Sequence, residues 1–179
     1  MRVVVQDIAS YHWMSVQVGA IVAIVLLFVG AVLHIVGLAT PEWSVAKVGG
    51  GSFGLWEVCS ELACVKYADL PGLVTIPDSI KACEAMAIIG MLISFVALAA
   101  AGIDLFHKIS GKDASAPFRL ISTATSIISF VFILIGIIIW GTKEYEPASA
   151  VANIGYSFIQ SIIGGITIAI GGIIFGLTS

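Results

Sequence analysis

The sequence predicts an all-α membrane protein, a left-handed four-helix transmembrane bundle carrying a small extracellular antiparallel β-sheet made by its first loop. Three observations predict it. The 179 residues are 59% hydrophobic and 11% charged, with a mean hydropathy of +1.11, too apolar for a domain whose solvent is water. Four stretches are apolar over the roughly 20 residues that a spanning helix needs. The segment from Thr40 to Lys81, by contrast, breaks into short runs bounded by turn residues.

The first span runs from about Val16 to Ala39 and holds no Asp, Glu, Lys or Arg; His34 is its one strongly polar residue. It is longer than the apolar core of a secretory signal and follows Asp7 rather than a basic cluster, so it is a retained helix. The second span runs from about Ala82 to Phe106, the third from about Phe118 to Gly141 and the fourth from about Ile154 to Thr178, the chain 1–179 forming a single domain. An even number of crossings places both termini on one side of the bilayer. Lys108, Lys112 and Arg119 in the link between spans two and three, with Arg2 in the N-terminal arm, make that side cytosolic by the positive-inside bias. The segment from about Thr40 to Lys81 is therefore expected outside the cell, at the plasma membrane.

Lipid tails are as apolar as Leu, so helices associate in a membrane through small residues that let backbones approach. Such residues recur every seven positions in each span: Ala23, Gly30, Gly37; Cys83, Gly90, Ala97; Ser122, Ser129, Gly136; and Ser157, Gly164, Gly171, Thr178. A sustained seven-residue period marks a left-handed bundle. The pairs Gly164-Gly165 and Gly171-Gly172 thin the last helix on a second side as well. Asp104 extends the second series by another seven residues, and intramembrane acids are functional suspects. His107 and Lys108 follow one turn later, so an interfacial ion pair is expected there, and a similar one between Glu84 and Lys81. Cys83 is expected to be a packed small residue.

In the first loop, Trp43 to Val48, Ser52 to Cys59 and Cys64 to Tyr67 are rich in Val, Trp, Phe and Tyr, and the first two are separated by Gly49-Gly50-Gly51. These features predict strands joined by a tight glycine turn. Cys59 and Cys64 flank a connection of hairpin length, Ser60-Glu61-Leu62-Ala63, which sets the thiols opposite each other; outside the cell they should oxidise.

Trp43, Gly54-Leu55-Trp56, Cys59 and Cys64, after one span and before three, resemble the W…GLW…C…C signature of the claudin superfamily, which includes the peripheral myelin and epithelial membrane proteins. Val65 to Asp69, Ile80 to Ala87 and Gly155-Tyr156-Ser157-Phe158 add to the resemblance, which covers the whole chain. Three departures point away from vertebrate claudins and toward a divergent member. The connection between the cysteines is shorter than usual, so is the link from Trp43 to Gly54, and the Arg that claudins carry at the outer start of the second span is absent. With Ser179 directly after the fourth span, no PDZ scaffold is expected to bind through the C-terminus.

No nucleophile and base pairing or metal cluster is visible, so an enzyme is not expected, nor a cofactor or metal. The histidines, His12, His34 and His107, fall at separate depths. No span carries a polar stripe that would line a pore through the bundle. No nucleic-acid partner is expected. The resemblance implies a protein of cell contacts such as tight junctions, whose sheet self-associates in cis or trans to seal or selectively open the space between cells. Acids outnumber lysines in the loop, which predicts a preference for cations along such a path, with Glu61 and Asp69 as candidate charges. The plainer alternative for those two is a solvated loop charge. The alternative function is an accessory subunit packed against a channel or receptor.

Overall fold

The structure is a computed structural model that describes residues 2–69, 76–110 and 116–178, with side chains from residue 18 onward. The expected cytosolic turn around Lys112 and the side chains of Arg2, Asp7 and His12 lie outside the described residues. Helix α1 spans Arg2–Ala39, so it begins well before the apolar stretch does. Strands β1 (Ser44–Ala46), β2 (Ser52–Phe53), β3 (Glu57–Cys59) and β4 (Cys64–Lys66) follow, then one 3-10 turn over Tyr67–Asp69. Helix α2 covers Asp78–Ile109 and α3 Ala116–Ile139. A π-helical turn, Trp140–Tyr145, continues α3 into the single turn α4, Glu146–Ala148. Strand β5 (Ala152–Ile154) and helix α5 (Tyr156–Leu177) close the chain.

Among the described residues four helical segments are long and apolar enough to cross a membrane: Val18–Ala39, Asp78–Ile109, Ala116–Ala148 and Tyr156–Leu177. Phe28, Leu92, Leu120 and Ile163, one from each, are at least half exposed. A girdle of large apolar side chains on all four helices would be untenable in water and is what lipid requires. The protein is a multi-pass membrane protein.

The small-residue series form the seams of the bundle. Helices α1 and α5 run antiparallel with Ala23, Gly30 and Gly37 against Gly171, Gly164 and Ser157. A methyl group added at Gly30 would stand 2.8 Å from the Gly164 carbonyl oxygen, and one at Gly171 3.0 Å from that of Ala23, so the backbones themselves are in contact. Helices α2 and α3 form the second antiparallel pair, and theirs is a hydrogen-bonded seam. Ser122 Oγ donates to the Ala97 carbonyl at 2.9 Å, Ser129 Oγ to that of Gly90 at 2.7 Å and Cys83 Sγ to that of Gly136 at 3.1 Å. In lipid such bonds contribute roughly 0.6 kcal/mol each on average, and here they fix the register. A second row on α5, Gly165, Gly172 and Gly176, meets Phe130, Ser126 and Thr123 of α3 and joins the two pairs. His34 Nε2 donates to the Ala87 carbonyl at 3.1 Å and ties α1 to α2.

Four features differ from expectation. The expected ion pair of Asp104 with Lys108 forms near the end of α2, Nζ lying 3.2 Å from the carboxylate, but it is buried within the bundle, the two side chains being 0% and 9% exposed. His107 takes no part in that pair and stands edge-on to Phe118. The seven-residue repeat explains the burial, because Asp104 occupies the next seam position after Ala97. Lys81 pairs with Asp78 at 3.6 Å rather than with Glu84, since both side chains reach outward from the first turn of α2. The third span passes its expected end at Gly141, the widened turn carrying the helix on through polar Thr142-Lys143-Glu144. The fourth helix starts at Tyr156 because Ala152–Ile154 is committed to the sheet and Gly155 is extended (φ −88°, ψ 169°).

The sheet has five antiparallel strands in the order β4-β3-β2-β1-β5. Four come from the first loop, and the second loop adds the fifth, Ser44 to Ala46 pairing with Ile154 to Ala152. Gly49 and Gly50 have φ of +84° and +57°, conformations open to glycine at little cost, and the Ala46 N–H closes the turn onto the Gly51 carbonyl at 2.7 Å. Cys59 and Cys64 are disulfide-bonded and directly opposed, with Cα atoms 4.0 Å apart. The neighbouring pair, Ser60 N–H to the Ala63 carbonyl, carries the hydrogen bond, so the cysteines occupy the non-hydrogen-bonded position where opposed Cα atoms come closest.

Candidate functional site

The junction between bundle and sheet is built around the end of α1. The last four carbonyls of any helix lack partners within it, and at a membrane boundary leaving them bare is costly. Here the Val36 carbonyl accepts from the Thr40 N–H at 3.1 Å and from Thr40 Oγ1 at 2.7 Å. The Gly37 carbonyl accepts from Trp43 Nε1 at 2.8 Å, and that of Leu38 from Trp56 Nε1 at 2.7 Å. Two tryptophans therefore cap one helix, each using its single donor on consecutive carbonyls. Trp43 is 1% exposed and packs edge-on against Trp140 and Phe158, with ring centroids 5.2 and 5.8 Å away. Trp140 Nε1 donates to Ser44 Oγ at 3.1 Å, which fastens the top of α3 beneath β1.

Gly54 and Leu55 serve the same junction. A Cβ at Gly54 would stand 2.5 Å from the Cα of Pro41, so only glycine lets the β2–β3 bend close over the chain leaving α1. Leu55 is fully buried. Tyr67 OH donates to the Gly54 carbonyl at 3.0 Å, and burial, then the carboxylates of Glu144 and Glu84, push its phenol up to about 12. On the other side of Pro41, the Glu42 carbonyl accepts the Ser157 N–H at 3.0 Å, and that of Trp43 the Gly155 N–H at 3.1 Å. Gly155 has no room for a side chain against the Glu42 carbonyl. Trp43, Gly54, Leu55 and Trp56 thus converge on one point, where they orient the sheet on the membrane bundle.

The charges singled out in the loop lie elsewhere and apart. Glu61 is at the exposed β3–β4 tip, its side chain lying against Gly50, and Asp69 ends the 3-10 turn, also exposed. Neither takes part in a salt bridge among the described residues. Lys47 is engaged, its Nζ donating to the Ser149 carbonyl at 2.8 Å, and Lys66 stands opposite Glu57 in the β3–β4 register. The contact between Glu61 and Gly50 sets the β3–β4 tip beside the β1–β2 turn. At these tips Leu62 and Val48 are 97% and 89% exposed.

Sequence patterns did not single out Trp140, Tyr67 or Glu144, which line a cavity of about 200 Å³ beneath the sheet. Their signal was present but faint: Trp140 ends an unbroken Ile run, and the polar Thr142-Lys143-Glu144 that follows looks like ordinary loop.

Residues 14–175 match the model of the PMP-22/EMP/MP20/Claudin family. Epithelial membrane protein 1 of Homo sapiens is 24% identical over 142 residues, covering 78% of this chain and 78% of that protein. Its Mus musculus counterpart is 26% identical over 146 residues, covering 78% and 79%.

Proposed function

This chain belongs to the PMP-22/EMP/MP20/Claudin family, and from that premise we propose that it is a cell-contact protein whose sheet lies outside the cell and associates with other copies of itself. The termini are then cytosolic. The observation that carries the proposal is the apolar crest of the sheet: Val48 and Leu62 are almost wholly exposed on adjacent turns, and Val151, 67% exposed, follows in the second loop. Isolated exposed apolar residues are ordinary, but three on one rim of a rigid sheet suit a partner surface. The free edge at β4, whose residues are all exposed, offers backbone donors and acceptors beside it.

The same arrangement supports a role in sealing the space between cells or letting cations pass. Glu61 and Asp69 carry no partner charge among the described residues, whereas Lys47 is held by backbone carbonyls. A path lined by such acids lowers the barrier to positive ions. A tagged copy expressed in epithelial cells tests the contact role. It should concentrate at cell borders and copurify chiefly with itself, and Val48→Glu with Leu62→Glu should disperse it. Recovery with a channel or receptor at fixed stoichiometry would instead establish an accessory subunit. Transepithelial dilution potentials test the charges: Glu61→Gln with Asp69→Asn should reduce the preference for cations, and an unchanged potential rejects their role.

A further inference from the structure

The cavity beneath the sheet is formed where β1 and β2 overhang the outer ends of α2 and α3, and Phe53, Tyr67, Ile80, Trp140 and Glu144 line it. Three of the polar hydrogens at the cavity are already used. Tyr67 OH donates to the Gly54 carbonyl, Trp140 Nε1 to Ser44 Oγ and Ser79 Oγ to Glu144 Oε1. Among the described residues no cation pairs with Glu144, and the nearby Lys81 is turned to Asp78. What remains is a carboxylate without a countercharge in a chamber walled by aromatic rings. Burial raises the phenol of Tyr67, and the carboxylates of Glu144 and Glu84 add to that shift from the same side. Trp140 and Glu144 both sit on the π-helical turn, a widening of the helix that recurs at functional sites.

We propose that this cavity binds an organic cation of the trimethylammonium class, with Glu144 as counter-ion and Phe53, Tyr67 and Trp140 as aromatic walls. A hard metal ion does not suit it, because Ca²⁺ requires about six to eight oxygen ligands and the lining supplies one carboxylate and few other free oxygens. A quaternary ammonium donates no hydrogen bonds, sheds water readily and is attracted to aromatic faces. Pockets for whole drug-sized ligands begin at roughly 300 Å³, so this smaller cavity takes a headgroup rather than a complete lipid. The same group is carried by phosphatidylcholine and by soluble choline, and the test separates the two.

The full chain is reconstituted into nanodiscs of phosphatidylglycerol and titrated with choline chloride against matched sodium chloride. Saturable quenching of tryptophan fluorescence is expected with choline alone, together with saturation transfer from aromatic protons to the choline methyls. Glu144→Gln, which keeps an acceptor for Ser79, should weaken binding at least tenfold, and Glu146→Gln on the exposed turn should not change it. In phosphatidylcholine nanodiscs, loss of the choline response identifies the lipid headgroup as occupant, while its persistence identifies the soluble cation. An absent wild-type response in phosphatidylglycerol, an equal response to sodium, or equal binding by a folded Glu144→Gln variant overturns the proposal. Saturation transfer on the wild type decides the matter even if that variant does not fold.

Discussion

Replacing Trp43 by Phe isolates the capping role of the signature from its packing role. The ring stays aromatic and can still meet Trp140 and Phe158, but the Nε1 donor to the Gly37 carbonyl, 2.8 Å away in a fully enclosed site, is lost. Leaving that acceptor buried without a donor costs about 1–3 kcal/mol. The protein carries its own reporter. Cys83 is the one free cysteine, fully buried in the same apolar cluster as Trp43 and Trp140, so a thiol reagent reaches it only when the bundle opens. When reclosing is fast relative to labelling, the rate follows the open population, and each 1.4 kcal/mol is tenfold. Trp43→Phe should therefore label roughly 5 to 150 times faster than the wild type, and Trp43→Ala, at about 3–5 kcal/mol, faster still. Cys83→Ala supplies the blank. Labelling of Trp43→Phe within twofold of the wild type would refute the cap, and labelling as fast as Trp43→Ala would mean that the hydrogen bond, not ring packing, carries the whole effect.

Three further outcomes follow from particular contacts. Gly30→Ala should loosen α1 from α5 by about 1–3 kcal/mol, since its methyl would stand 2.8 Å from backbone, whereas Gly136→Ala, whose nearest atom is 3.5 Å away, should be tolerated; equal labelling of Cys83 in the two variants would contradict the seam. Asp104→Asn alone should destabilise by about 3–5 kcal/mol by stranding buried Lys108, while Asp104→Leu with Lys108→Met should recover most of the loss in the same assay. Tyr67 ionises at about 12 in the fold against an ordinary value near 10, so the unfolded chain releases its proton first as pH rises. Its contribution is complete below about pH 10 and declines from there toward about 12. Tyr67→Phe should flatten that alkaline decline and cost about 0.5–1.5 kcal/mol at neutral pH for the lost bond to the Gly54 carbonyl; an unaltered decline measured by labelling against pH would assign it elsewhere.

Much of this architecture is local in origin and so could be read along the chain. Apolar run length marks the four crossings because a bilayer has a fixed thickness, and the seven-residue spacing of Ala23, Gly30 and Gly37 marks a seam because helical geometry puts those residues on one face. Cys59 and Cys64 were legible as a hairpin pair for the same reason, each facing a residue a few positions away. The family signature was visible too, but not what it does. Trp43 and Trp56 cap α1 only because the β2–β3 bend folds back across Pro41, and no spacing discloses that return.

What only the tertiary structure decided depends on partners distant in sequence. Strand β5 has three residues, too few to announce a strand, and exists because β1 presents a free edge to the chain descending into α5. Asp104 has the local surroundings of an interfacial ion pair, and its burial depends on how far the α2–α3 seam continues. The cavity gathers Phe53 and Tyr67 from the first loop and Trp140 and Glu144 from the extended end of α3, and that no cation among the described residues pairs with Glu144 is a property of the assembly. Sequence determined how many helices cross and which faces meet, because lipid and helix period act on every residue alike. Tertiary structure decided how the sheet is seated and what lies beneath it, because those features arise only where separate segments satisfy one another's hydrogen bonds.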